Sequence, residues 1–380
     1  MRFRRLVDVT LIGTLVFSFS LSGSAYAASR DNNARAVCPG PARAGSARCV
    51  AWVRPFASSA PTGLSPATIQ SVYNFPTSLT AGSGKTVALV DAYDDPTAES
   101  DLGVFDSKYG LPACTTANGC FKKVNQTGGT RYPHSDSGWA LEISLDVQWA
   151  HAIAPGAKIL LVEASSSSFS NLLTAEKYAK THAQYVSNSW GGSEFSSEHS
   201  YDSYFVQSGV SFFVSAGDSG LPAEYPSASP NVISVGGTTL NFSGSTFTSE
   251  TGWSDGGGGC SAYETATSAQ SSFSQYGQVS CGGRRATPDV SLDADPNSGV
   301  SVYDSTKYSG QSGWWQVGGT SVSSPMWAGR SADAGVVVSS AYVYGNTITF
   351  RDITSGNNGA SCLTGYDLCS GLGSWTGTTP

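Results

Sequence analysis

The sequence predicts an α/β fold, with a mostly parallel central sheet covered by helices on both faces. Apolar strand-like runs alternate along the chain with longer stretches of helical periodicity, the pattern of strands joined by helical crossovers. No charge block, no long proline-rich linker and no repeat of fixed period interrupts residues 61–374, so one large domain, residues 61–380, suits this 380-residue chain. The strand candidates are residues 86–91, 158–163, 184–189, 211–215 and 232–235. Helical candidates lie among them at 97–109, 138–153, 170–182 and 197–208. The Gly/Ser-rich stretch 256–285 reads as surface loop. A helix is expected over 326–334, after a turn of small residues.

Ahead of that domain, basic residues 1–5 lead into the apolar run 9–21 and then the small-residue site Ala25-Tyr26-Ala27. These are the three parts of a secretory signal peptide, so residues 1–27 are expected to be removed and the mature protein to be secreted and extracellular. The apolar run falls short of the roughly 20 residues a bilayer-spanning helix needs, and no later stretch is longer, which argues against a membrane. Residues 28–60 are then a short N-terminal segment, a reduced prosegment or a linker.

Eight cysteines fall into four close pairs, Cys38/Cys49, Cys114/Cys120, Cys260/Cys281 and Cys362/Cys369. An even count in an exported chain reads as disulfides, and nearest-neighbour pairing is the expectation among the connectivities the count allows. No pair has two-residue spacing and the four histidines, His134, His151, His182 and His199, are scattered, so a zinc–thiolate site is the weaker reading. A net charge of −7 with 13% charged residues and no basic patch argues against nucleic acid or anionic lipid as a partner. Nothing suggests an oligomer seam, and a monomer is expected.

In such sheets catalytic groups gather at the carboxyl ends of the strands. Three places carry unusual chemistry. Gly318-Gly319-Thr320-Ser321-Val322-Ser323-Ser324-Pro325 is a small-residue turn feeding a helix, which places Ser321 near a helix N-terminus. Unpaired N–H groups and a partial positive charge there suit a nucleophile beside which an oxyanion forms. The plain alternative is an ordinary Ser/Thr cap.

The second place is residues 139–149, an apolar helical stretch carrying Glu142 and Asp146. Four residues apart, the two carboxylates share one helix face with Cβ atoms about 5–6 Å apart. Burying two unpaired carboxylates is costly unless they share a proton or serve a function, and no Lys or Arg is near enough in sequence to make this a solvated charged face. The third is Phe212-Phe213-Val214-Ser215-Ala216-Gly217-Asp218, a buried-strand pattern ending in an aspartate, which by itself would pass for a turn former.

Together these residues resemble the sedolisin family, the serine-carboxyl peptidases of the subtilisin-like clan, over residues 61–374. The resemblance rests on the E-x-x-x-D helix, Ser189-Trp190-Gly191, Ser215-Ala216-Gly217-Asp218, Pro288-Asp289-Val290, the G-T-S-x-x-x-P turn, and the closing Phe350-Arg351-Asp352-Ile353-Thr354 and Gly365-Tyr366-Asp367 runs. It implies a subtilisin-like fold and an endopeptidase that acts on polypeptides in acid. Carried over by position, Ser321 is the nucleophile, Glu142 takes its proton, Asp146 orients and polarises Glu142, and Asp218 stabilises the oxyanion. Asp91 and Trp190 stand behind the catalytic pair. One structural calcium ion is implied near the C-terminus, with carboxylates from Asp352 and Asp367 and main-chain carbonyls from Ile353, Leu363 and Gly365, an all-oxygen set.

The chain departs from the family pattern in several places. Only residues 28–60 stand where a long folding-assisting prosegment is usual. Gly318 replaces a common Ser, Leu363 replaces a common Gly, and the segment between Pro325 and Phe350 is short. Two rival readings follow. One is a His-dependent serine hydrolase, which the missing H-G-T context argues against. The other is a catalytically silent exported binding domain of the same fold.

Overall fold

The computed structural model describes residue 1, residues 34–345 and residues 349–377. The expected signal peptide lies outside the described residues. The unit considered below is Asn33–Pro380.

Its centre is a ten-stranded sheet. In spatial order the strands run Phe350–Arg351, Ser374–Trp375, Val290–Asp293, Ile233–Ser243, Ser211–Ser215, Tyr185–Asn188, Thr86–Ala92, Lys158–Ala164 and Phe121–Asn125, with Thr246–Gly252 paired to Ile233–Ser243 off this path. The pairs from Phe121–Asn125 through to Ser374–Trp375 are parallel. The innermost strands are buried along nearly their whole length, as the continuous apolar runs require of a sheet covered on both faces.

Four strand expectations hold to within a residue or so. The fifth, 232–235, extends to Ile233–Ser243, because its distal half leaves the parallel stack and forms a hairpin with Thr246–Gly252. The strand Phe121–Asn125 escaped the sequence reading. Its Phe-Lys-Lys-Val-Asn sequence is polar, as an edge strand permits.

The long helix Ser137–Ile153 is capped by Asp136, whose carboxylate accepts from the Gly138 and Trp139 N–H groups at 3.0 and 3.1 Å. All of Gly138–Ile153 is buried, because the helix packs between the helix Thr320–Ala334 on one side and the strand Val300–Tyr308 on another. That second helix begins six residues before the expected 326. Pro325 lies inside it, and the N–H it lacks is the one that would have reached the Ser321 carbonyl.

Two local readings are corrected. The predicted helix 197–208 is a 3₁₀ segment, Glu198–Phe205. The stretch 256–285 is not free loop: Gly259–Thr265 and Arg284–Thr287 pair antiparallel and Cys260–Cys281 closes them. All four nearest-neighbour disulfides are formed. Among the described residues no helix is long and apolar enough to cross a membrane.

Beneath the strand Val290–Asp293, Arg285 is buried and grips Asp289 through both carboxylate oxygens, one of them at 2.7 Å. Asp289 also accepts from the Ser234 N–H at 2.7 Å and from the Tyr344 hydroxyl, while Gln270 joins Tyr344 and Tyr366. Removing one partner of a buried pair strands the other charge. Arg285→Met is therefore expected to lower unfolding free energy by about 3–5 kcal/mol, measured by denaturant titration, without displacing the carboxyl ends of the parallel strands.

Candidate active site

Five acidic or hydroxyl side chains flagged in the sequence meet at the carboxyl edge of the sheet. Asp91 ends the inner strand Thr86–Ala92, Asp218 follows the strand Ser211–Ser215, and Glu142 and Asp146 project from the long helix. Ser321 is the second residue of the helix Thr320–Ala334, where its N–H has no intrahelical acceptor. All five are buried; Asp218, the most exposed, shows only 2% of its surface.

Their electrostatics follow from shared burial. Burial pushes the Glu142 carboxyl well above the usual range; Asp91 and Asp218 push it the same way, while the Ser321 hydroxyl and the Ala51 N–H oppose them. Asp146 is raised by burial and by the negative charges of Asp91 and Glu142, with the Ser189 hydroxyl, 2.9 Å from its Oδ1, acting against the rise. Burial alone carries Asp91 up to about 7. Asp218 reaches about 8 by burial, although Thr320 donates to its Oδ1 from both N–H and hydroxyl at 2.8 Å. Asp91 and Asp218 therefore hold their protons up to about 7 and 8, and Glu142 and Asp146 are biased in the same direction.

The free atoms are those a reaction needs. Neither Glu142 oxygen, nor the Ser321 Oγ, nor the Asp218 Oδ2 makes a hydrogen bond of good geometry, although the Ser321 hydroxyl and the Ala51 N–H lie near enough to Glu142 to favour its charged form. Thr320 fixes Asp218 so that Oδ2 faces Gly319, where an added Cβ would lie 2.7 Å from it. Gly319 sits at φ +97°, a left-handed conformation that favours glycine. Trp190 donates its indole N–H to the Val90 carbonyl at 2.9 Å, which locks the strand end that carries Asp91.

No imidazole takes part among the described residues. His151 is buried elsewhere, 2.9 Å from the Pro112 carbonyl and 3.4 Å from Asp106. His134 is exposed and packs on Tyr93.

The sequence reading missed three contributors. Thr320 and Ser189 orient Asp218 and Asp146, and small polar residues give no sequence signal for such work. The third is the N-terminal segment: Val50 and Ala51, within the stretch expected to be prosegment or linker, lie over the cluster and are 1% exposed. An added Cβ on Gly319 would lie 2.1 Å from the Val50 carbonyl oxygen.

Toward the C-terminus, the Asp352 carboxylate accepts from the Gly365 N–H at 2.9 Å, and Asp367 accepts from Leu363 at 2.6 Å and from Cys369 and Ser370. The Ile353, Leu363 and Gly365 carbonyls receive no hydrogen bond among the described residues. Cys362–Cys369 closes the loop. Leu363, Gly365 and Asp367 lie on the stapled loop and Asp352 is tied to it through the Gly365 N–H, and two carboxylates with three main-chain carbonyls are the kind of donor set a hard, oxygen-seeking cation takes.

Residues 132–340 match the family model described as the subtilase family. Kumamolisin of Bacillus sp. (strain MN-32) is 31% identical over 83% of this chain and 63% of its own. Xanthomonalisin of Xanthomonas sp. (strain T-22) is 29% identical over 78% of this chain and 43% of its own. A solved Pseudomonas sedolisin, described as a serine-carboxyl proteinase in complex with pseudo-iodotyrostatin, superposes with a TM-score of 0.70 and 27% identity. It covers 83% of this chain and 96% of that one. This chain belongs to the sedolisin branch of the subtilase family. Its fold is accordingly subtilisin-like, and it spans less than two thirds of the length of either curated relative.

The acid groups also set how stability varies with pH. Asp91, Asp218, Glu176 and Asp304 all have folded pKa values raised to about 7 or 8. The fold thus favours their neutral forms, and that stabilisation, complete below an unfolded pKa near 4, is lost as pH rises through those values. His151 acts in the opposite sense. Burial lowers it from 6.5 to about 4, so its contribution is lost as pH falls through that interval. Calorimetry is expected to give a Tm at about pH 5 that exceeds the Tm at about pH 8.5 by about 5 °C or more.

Proposed function

We propose that this chain is a secreted, acid-active serine-carboxyl endopeptidase that cleaves polypeptides through an acyl-enzyme on Ser321. The observation that carries the reading is a serine at a helix N-terminus facing a water-excluded carboxylate cluster, with no imidazole beside it.

In this reading Ser321 Oγ attacks the substrate carbonyl and Glu142 takes its proton, later passing it to the departing amine. Asp146, held by Ser189, keeps Glu142 oriented and shares its proton, and Asp91, raised to about 7 by burial, stands protonated behind them in acid. The developing oxyanion lies between the Ser321 N–H at the helix start and the free Oδ2 of Asp218. A carboxyl pKa of about 8 supplies the proton that Asp218 needs for donation. Acid activity follows from both roles once Val50 and Ala51 leave Glu142 open to water and its carboxyl returns toward the ordinary range: a carboxylate base then survives at pH values where an imidazole is fully charged, and a carboxyl donor is lost as pH rises.

Asp352 and Asp367 with the carbonyls of Ile353, Leu363 and Gly365 would hold one calcium ion. Bound there, it would brace the C-terminal loop. The four disulfides agree with an oxidising, extracellular destination. The substrates are polypeptides, and the chain acts as a monomer.

Hydrolysis of a denatured protein, followed from about pH 2.5 to 8 to span the carboxylate and imidazole ranges, is expected to peak in acid. Ser321→Ala and Glu142→Gln should each lower it by about 10³-fold or more. A neutral optimum, or turnover that survives Ser321→Ala, would sink the reading. Chelation with EDTA should lower Tm, calcium should restore it, and Asp352→Ala should abolish that response; calcium at about 100 times its Kd stabilises by about 2.7 kcal/mol.

A further inference from the structure

We propose that residues 46–53 form a self-inhibiting strand, laid through the active cleft in the register of a substrate and stapled there by the Cys38–Cys49 disulfide. The Val50–Ala51 peptide bond lies over Ser321. This inference rests on Ser321 being the nucleophile.

The register is set from both sides. Before the bond, Arg48 and Cys49 pair antiparallel with Gly191 and Trp190, and the Val50 N–H donates to the Ser189 carbonyl at 3.3 Å. After it, Trp52 and Val53 pair antiparallel with Gly318 and Val317, and the Arg54 N–H donates to Gln316 at 3.0 Å. One wall of the cleft thus holds the acyl side and the other wall holds the amine side. The peptide between them has the polarity a bond to be cut requires: the Val50 oxygen points to Gly319, close to Asp218 Oδ2, and the Ala51 N–H faces Glu142.

Burial agrees with this placement. Ser321 and Glu142 are wholly buried, while Val50 and Ala51 are each 1% exposed. The strand is also anchored by charge, since Arg48 donates to the Ser219 hydroxyl at 2.6 Å and lies 3.5 Å from Glu224.

The staple explains why such a strand would stay. Cys49 immediately precedes Val50. Its partner Cys38 follows Val37, whose N–H donates to the Ala51 carbonyl at 2.8 Å, and Ala36 pairs with Trp52. Both cysteines lie on the acyl side of the bond, so the disulfide does not join the two halves; it fixes the acyl side to residues 35–37, whose backbone hydrogen bonds grip the amine side. Suppose Ser321 Oγ adds to the Val50 carbonyl carbon, its proton passing through Glu142 to the Ala51 nitrogen as the C–N bond breaks. The new amine then remains in place against Val37 and can reseal before water releases the Val50 carboxylate. An untied strand would drift away and leave the cleft open.

The test compares the full-length chain with Cys38→Ser/Cys49→Ser and with Arg48→Ala, which keeps the disulfide. Hydrolysis of an added peptide at acid pH is expected to rise about 10- to 100-fold in the double variant, the range that opening a loop of this size permits, and by less in Arg48→Ala. Hydrogen exchange in a Ser321→Ala background reads the covering without chemistry: the amides of Val50 to Val53 should be protected with the disulfide present and lose protection without it. Equal hydrolysis and equal protection in all forms would overturn the proposal, as would unprotected amides in the disulfide-bonded chain. Protection lost without hydrolysis in any form would uphold the covering strand and overturn instead the reading of Ser321 as nucleophile.

Discussion

The structure depends on keeping several carboxyl groups in a space from which water is excluded. Glu142 and Asp146 stand on one face of a helix that is buried almost end to end, and Asp91 and Asp218 approach from the two strands that flank Tyr185–Asn188. Together in their charged forms they would repel one another across a medium of low dielectric constant. The arrangement is tolerable because burial and mutual repulsion both favour the protonated forms, and Ser189 and Thr320 hold one oxygen each of Asp146 and Asp218. Charge repulsion and desolvation thus act together to make a site that resists ionisation.

The rest of the fold serves that constraint. A parallel sheet brings the ends of sequence-distant strands to one edge, and the helix Thr320–Ala334 delivers Ser321 to the same edge with its N-terminal N–H groups facing the cluster. Acid groups away from the site share the bias: Glu176 and Asp304 are also raised by burial, so the molecule as a whole favours the protonated state. His151 and Asp106, 3.4 Å apart, fit the same picture. With His151 lowered to about 4 and Asp106 raised to about 7, both are neutral between those values, and their contact is polar rather than ionic.

The strand over the site shapes its electrostatics as well as its access. Val50 and Ala51 shut water out of the Glu142 carboxylate, while the Ala51 N–H offers it a partial partner. Opening the strand would return water to Glu142 and ease it toward ordinary carboxylate behaviour, as the proposed role of Glu142 as a base in acid requires. Covering and chemistry are thus coupled through the hydration of one side chain.

Much of this was written locally in the chain. The continuous apolar runs of the inner strands, the four-residue spacing of Glu142 and Asp146 in an apolar helix, and the small-residue turn before Ser321 gave the α/β class and named the groups that meet. Local patterns carry that information because strand burial and helix periodicity are properties of short windows. Tertiary structure decided what windows cannot hold. It turned the stretch 256–285 into a stapled hairpin and tightened 197–208 into 3₁₀ geometry. It set Thr320 against Asp218, and it laid Val50–Ala51, within a stretch that reads as linker, against Gly319 and Glu142. Each of these depends on hydrogen bonds between residues far apart in sequence, whose partners are fixed only once the sheet has brought its strand ends together.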